Sequence, residues 1–171
     1  MGPLAVLRLT VRPFGPFDDD QEADLQRSPS PRLALGFAGG YNVQTNRQKS
    51  TYGSTLALGT FDYTHAAADL VFKYAGLSLL AEVVARKSAR PAISGEVDGE
   101  PAQEWSRSGW GYLVQGGFMV HRLVEVAARW DSLHAFPGTD PALVKLVGDQ
   151  GHQVGAGLNL YLNGHALTLQ A

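Results

Sequence analysis

The chain has 171 residues, 44% of them apolar, with a formal net charge of −2. That length is one ordinary domain, and a pI near 6.2 offers no electrostatic case for nucleic acid. There is no cysteine, which excludes disulfides and thiolate metal sites. A mean hydropathy of −0.10 argues against a helical membrane protein. The best apolar candidate, residues 66–85, is broken by Asp69, Lys73 and Glu82.

Taken in chain order, the segments alternate apolar and polar residues with the period of two that marks β-strands. Leu4 to Arg12 sets Ala5, Leu7, Leu9 and Val11 against Val6, Arg8, Thr10 and Arg12. Pro13-Phe-Gly-Pro stops it, and a polar stretch with Asp18, Asp19, Asp20, Glu22 and Asp24 follows. Arg32 to Gln44 places Leu33, Leu35, Phe37, Gly39, Tyr41 and Val43 opposite Ala34, Gly36, Ala38, Gly40 and Asn42. A connection over about 45–65 includes extra strand near Thr55 to Leu58. Ala66 to Tyr74 and Leu77 to Arg86 then form a hairpin turning at Ala75-Gly76, a register that sets Asp69 opposite Glu82 and calls for a neighbouring cation or a shifted turn. Ser78 to Arg86 also reads as helix when taken alone, but its Gly-, Tyr-, Phe- and Val-rich neighbours favour strand.

After a loop over 87–108 come Gly109 to Met119 and Leu123 to Asp131. Parity favours a three-residue loop, Val120-His121-Arg122, pairing Phe118 with Val124, Val114 with Ala128 and Tyr112 with Trp130. The loop 132–152 contains a short helix, with Asp140 as cap and Pro141 in the first turn. The last hairpin turns at Asn163-Gly164, where both positions favour φ > 0. It sets Leu162 opposite His165, Leu160 opposite Leu167, Leu158 opposite Leu169 and Asn159 opposite Thr168.

Tight turns near 75, 121 and 163 alternate with long loops at 45–65, 87–108 and 132–152. Aromatics of the apolar face fall at two levels: Tyr41, Trp110, Tyr112 and Trp130 toward the long loops, and Phe72, Tyr74 and Phe118 toward the tight turns. An apolar face bounded by two aromatic levels, backed by a small polar face, is the pattern of a transmembrane β-barrel wall. The expected fold is therefore an all-β, antiparallel transmembrane β-barrel with about eight strands here. The first residues lack a basic segment followed by an apolar stretch, so an exported protein is expected here as its mature form or as a fragment.

In their order and spacing, LRLTVRPFGPF (7–17), LALGFAGGYN (33–42), YAGLSLLAEVVAR (74–86), GYLVQGGFMV (111–120), LVEVAARW (123–130) and VGAGLNLYLNGHALTLQ (154–170) resemble the C-terminal part of the phosphate-selective porins O and P. The resemblance implies part of a sixteen-stranded outer-membrane barrel, usually a homotrimer in the bilayer, passing small anions such as phosphate by diffusion. It implies no cofactor, no metal and no enzymatic chemistry. The family pattern runs through about twice as many strands and a further strand with a terminal aromatic, so a partial chain is expected, with self-closure of eight strands as the alternative.

Selectivity in such a pore lies in lumen charge and width. By alternation the inward basic residues are Arg8, Arg12, Lys73, Arg86 and Arg129, against Asp69, Glu82, Glu125 and Asp131, with Asn159 also on that wall. Arg8, Glu82, Glu125 and Arg129 fall at charged positions of the family pattern. The arginines offer successive weak sites to an anion, their donor forks matching phosphate-like oxygens. The competing reading is that these charges satisfy one another across strands, and five basic against four acidic groups make a poor anion filter. Two other functions stand beside the pore: a small self-closed membrane barrel with a structural or adhesive role, and a soluble β-barrel or sandwich binding an apolar ligand.

Other motifs are weaker. The acidic run 18–24 fits no calcium loop and reads as a solvated connection. His65, His121, His134, His152 and His165 show no zinc spacing. Gly155-Ala-Gly157 lies within a strand and opens no helix.

Overall fold

The computed structural model describes residues 2–164 and 167–170. It is built on one antiparallel sheet of eight strands: β1 (Leu4–Val11), β2 (Arg32–Thr45), β3 (Phe61–Tyr74), β4 (Leu77–Ser88), β7 (Gly109–His121), β8 (Val124–Ala135), β9 (His152–Tyr161) and β10 (Thr168–Gln170), adjacent in that order. A separate hairpin, β5 (Ala92–Val97) with β6 (Glu100–Trp105), is inserted between β4 and β7, and one helix, α1 (Pro141–Gln150), precedes β9. Among the described residues β1 and β10 do not pair, so the sheet is open. No helix of the described residues is long and apolar enough to cross a membrane, which says nothing about strands.

Register confirms the alternation across the whole sheet. One face carries the row Val11, Leu35, Leu70, Ala81, Val114, Trp130 and Val154 from β1 to β9. The next row on that face carries Leu33, Phe72, Leu79, Gly116, Ala128 and Ala156. None of the residues in these two rows is buried, and exposure on this face reaches 83% at Val154 and 79% at Leu7. The buried apolar cluster is small, Ala23, Met119 and Tyr161 with Leu25 against it, and it lies on the other side of the sheet. Large apolar side chains thus face outward from a single layer rather than into a core between two layers.

The Ala75-Gly76 turn holds as expected, with Tyr74 paired to Leu77 and both turn residues at positive φ (53° and 91°). Ser78 to Arg86 is strand throughout. Asp140 caps α1 by accepting from the Ala142 N–H at 2.9 Å, and Pro141 opens the helix.

Two registers differ from expectation, each by two residues. In β7–β8, Phe118 pairs with Val126, Val114 with Trp130 and Tyr112 with Ser132, and a bulge separates Met119/Glu125 from His121/Val124. The turn is therefore at Arg122-Leu123. The bulge lets Met119 settle against the 75–76 turn, its N–H donating to Gly76 O at 2.9 Å. In the last hairpin, Leu160 pairs with Leu169, Asn159 with Gln170 and Tyr161 with Thr168. Gly164 has φ of 54°, Asn163 is not at positive φ, and the expected Leu162–His165 pair lies outside the described residues. A two-residue slip keeps every side chain on its face, so burial patterning cannot distinguish these registers.

The loops are more structured than their composition suggests. Residues 87–108 contain the β5–β6 hairpin, turned by Asp98-Gly99 with φ of 54° and 82°. The expected strand near Thr55 to Leu58 is only an isolated bridge, Arg47 to Thr55. The rim of tight turns also carries one long connection, residues 12–31, between β1 and β2.

Candidate functional site: the polar face of the sheet

Except for Arg12, which lies just beyond the end of β1, the residues expected inward fall on the second face. Its rows, read from β1 or β2 toward β9, stack a sequence of environments. Inside the row of Leu4, Asn42, Tyr63 and Ser88 at the long-loop rim lie first Val6, Gly40, His65, Arg86 and Gly109, and second Arg8, Ala38, Ala67, Val84, Gly111 and Leu133. The third row has Thr10, Gly36, Asp69, Glu82, Leu113, Asp131 and Gln153. Arg129 lies one row further on, opposite Gln115 and Gly155, and Lys73 lies beyond that, opposite Arg32 and Ser78.

Most of these charges are neutralised by a neighbour. Asp69 and Glu82 face each other as the turn requires, and the cation they need is Arg8, which makes two bonds to the Asp69 carboxylate at 2.8 and 2.9 Å. That pair lies over Gly36, where a β-carbon would overlap both groups. Arg129 reaches Asp131 at 3.1 Å along its own strand face. Arg12, just beyond β1, holds the Asp19 carboxylate at 2.8 Å. Arg86 is different: it is half-buried, pairs with no carboxylate among the described residues, and donates to the backbone oxygens of Arg107 (2.9 Å) and Lys49 (2.8 Å).

Glu125 and Asn159 come together, but as a packed node rather than an open wall. Glu125 is 4% exposed and its carboxylate accepts from Asn159 Nδ2 (2.8 Å), the Tyr161 hydroxyl (2.7 Å) and Ser78 Oγ (3.3 Å). It occupies the space above Gly117 that a β-carbon would fill. Lys73 is 4% exposed, with Nζ donating to Asp18 O at 2.7 Å, so it is sealed rather than open.

What seals it is the 12–31 connection, which folds across this face. Asp24, 2% exposed, accepts from Ser28 N–H (2.9 and 3.1 Å), Ser28 Oγ (2.8 Å) and Gly76 N–H (2.8 Å). Arg27 donates to Met119 O, and Gln115 donates to Glu22 at 2.7 Å. The acidic run is thus a latch and salt-bridge segment, not a wholly solvated linker. Among the described residues, no group of three or more His, Asp or Glu could hold a metal.

At the opposite rim three loops are tied together. Arg107 pairs with Asp140 at 2.7 Å, Gln48 donates to the same carboxylate at 3.1 Å, and the Tyr63 hydroxyl donates to Gln48 O at 2.6 Å. Loop residue Ser50 bonds Asn42 (2.9 Å) and His65 (2.9 Å), bringing residues 45–60 over the face. No local sequence signal marks these long-range partners. On the apolar face at this rim, Trp110 stacks on His134 at 4.3 Å, Tyr112 meets Trp130 edge-on at 5.4 Å, and Ser132 Oγ contacts both His134 and His152.

The arrangement is a wall with one apolar side, one charged side, and segments folded over the charged side at both rims. The chain matches no family model, no curated protein and no solved structure.

Proposed function

We propose that this chain forms part of the wall of a passive outer-membrane porin, its polar face lining the path of small anionic solutes such as phosphate. One observation carries the reading: a single-layer sheet leaves its entire apolar face open, with an aromatic cluster at one rim and Phe72, Tyr74 and Phe118 toward the other. Water makes such a surface unfavourable at about 25 cal/mol per Å², whereas hydrocarbon matches it and the two boundaries favour the rings.

Residues 12–31 and the loop carrying Ser50 both fold across the polar face. A soluble barrel binding an apolar ligand needs the opposite arrangement, so the membrane reading is preferred. In lipid an open sheet edge leaves backbone groups unsatisfied. The edges of β1 and β10 are therefore paired in the working pore, by further strands of a sixteen-stranded barrel in a trimer or by closure upon themselves. The location is the bacterial outer membrane.

Reconstitution in planar bilayers tests this. The expected result is steady conductance with a reversal potential in a salt gradient that reports anion preference. A cation preference ends the anionic assignment, and intact, inserted protein without conductance ends the pore, leaving the structural or adhesive barrel.

A further inference from the structure

The polar face is not polar throughout. Just inside the long-loop rim, a hollow of about 640 Å³ has Val6, Val84 and Leu133 in its floor and Tyr52, Leu143 and Val147 around its mouth. Val6, Val84 and Leu133 belong to the face that elsewhere carries charge, yet they are exposed at 66%, 42% and 51%. The volume suits a small organic molecule, for which pockets run roughly 300–1,000 Å³.

Of the polar side chains that line it, Thr51 and Tyr52 belong to the loop over it, His134 is engaged by Ser132 Oγ and stacked on Trp110, and His65 is engaged by Ser50 Oγ; Arg86 lies beside His65 in the same row. Arg86 is held by two backbone oxygens through Nε and Nη1, and its guanidinium lies 5.6 Å from the Tyr63 ring centroid. Among the described residues no carboxylate pairs with it, in contrast to Arg8, Arg12 and Arg129, and Nη2 has no protein partner.

We infer that this hollow is a weak binding station for amphipathic monocarboxylates, small anions with an aromatic or aliphatic body. The inference rests on the pore reading and names its solute class. One free edge of a positioned guanidinium satisfies a carboxylate. The apolar floor then covers the hydrocarbon body, whereas it would strip water from the remaining oxygens of a phosphate and return no hydrogen bonds. Two protein-held nitrogens keep Arg86 aimed without a counter-ion, so the solute supplies the compensating charge.

Isothermal titration of the full-length, detergent-solubilised protein with benzoate and with hexanoate tests this, with inorganic phosphate as competitor. Saturable benzoate binding is expected, phosphate at equal concentration should not displace it, and Arg86→Gln should weaken it by about tenfold or more through loss of a charge-assisted contact. Leu143→Asn, on the exposed helix, should weaken benzoate and hexanoate without changing the fold, and serves if Arg86→Gln does not assemble. Absence of saturable binding, equal binding in both variants, or full displacement by phosphate overturns the inference. Conductance separates the two claims: a conducting pore indifferent to benzoate loses the station and keeps the pore. A non-conducting protein that binds benzoate through Arg86 keeps the station and loses the pore.

Discussion

Glu125 is the most consequential single carboxylate in the sheet, and Glu125→Ala is the perturbation to make. Its carboxylate joins β8 to β9 through Asn159 at 2.8 Å and Tyr161 at 2.7 Å, with a longer contact to Ser78 of β4 at 3.3 Å. Two short bonds to a charged acceptor are worth about 1.5–3 kcal/mol each, so the gross loss is about 3–6 kcal/mol. Asn159 is half-buried and recovers part of this from water, which puts the net cost near 3 kcal/mol. Glu125→Gln keeps shape and one acceptor oxygen and should cost about 1–2 kcal/mol. Urea unfolding of protein refolded into lipid vesicles, followed by tryptophan fluorescence, reads both numbers. If Glu125→Ala unfolds within about 0.5 kcal/mol of the parent, the range of ordinary surface changes, the node does not hold β8 and β9 as described.

Ala81 sits mid-strand on the apolar face, paired with Leu70 and Val114. Ala81→Arg should cost about 2–4 kcal/mol in lipid vesicles if it meets the bilayer midplane, measured by the same titration, against no more than about 0.5 kcal/mol for an ordinary exposed site in water. Asp24→Ala removes the acceptor of three donor groups, the Ser28 N–H and hydroxyl within the segment and the Gly76 N–H that fastens residues 12–31 to the 75–76 turn. Limited proteolysis should then cut within 12–31 many times faster while the strands stay protected, and unchanged cleavage would show that the latch lies elsewhere. Asp69→Asn removes the carboxylate that holds Arg8 and one negative charge of the polar face. Arg8 is then left without its counter-ion, and the bilayer reversal potential should move toward stronger anion preference; no movement would show that the pair does not set selectivity.

Much of this architecture can be read from the chain, because a face assignment needs only parity. The strand pairing around Ala75-Gly76, the two faces and the Asp140-Pro141 helix start all rest on short-range rules, and the structure bears them out. The misjudged registers share one cause: slips of two residues leave Phe118, Val114 and Leu160 on the same face, so nothing in their polarity opposes the shift. The β5–β6 hairpin had a local signal, Asp98-Gly99 between Val97 and Glu100, hidden inside a segment read as loop for its length. The 12–31 connection had none, since one buried carboxylate, Asp24, converts a polar linker into a packed segment through a partner 52 residues away. At the candidate site, alternation placed the basic residues on one face. It could not separate Arg86 from Arg8, Arg12 and Arg129, because only three-dimensional neighbours show which charges are already satisfied.

The face of the sheet that meets hydrocarbon decides between a membrane wall and a soluble sheet, and the absence of cysteine makes a direct measurement available. Single cysteines introduced in turn along β4, from Leu77 to Val84, carry a nitroxide spin label, and relaxation by oxygen and by a water-soluble nickel chelate is compared in lipid vesicles. Labels at 77, 79, 81 and 83 should respond to oxygen, while labels at 80, 82 and 84 should respond to the nickel chelate; Ser78, buried against Glu125, is left unlabelled. The reverse alternation, or equal access of the nickel chelate to both sets, would contradict the membrane wall.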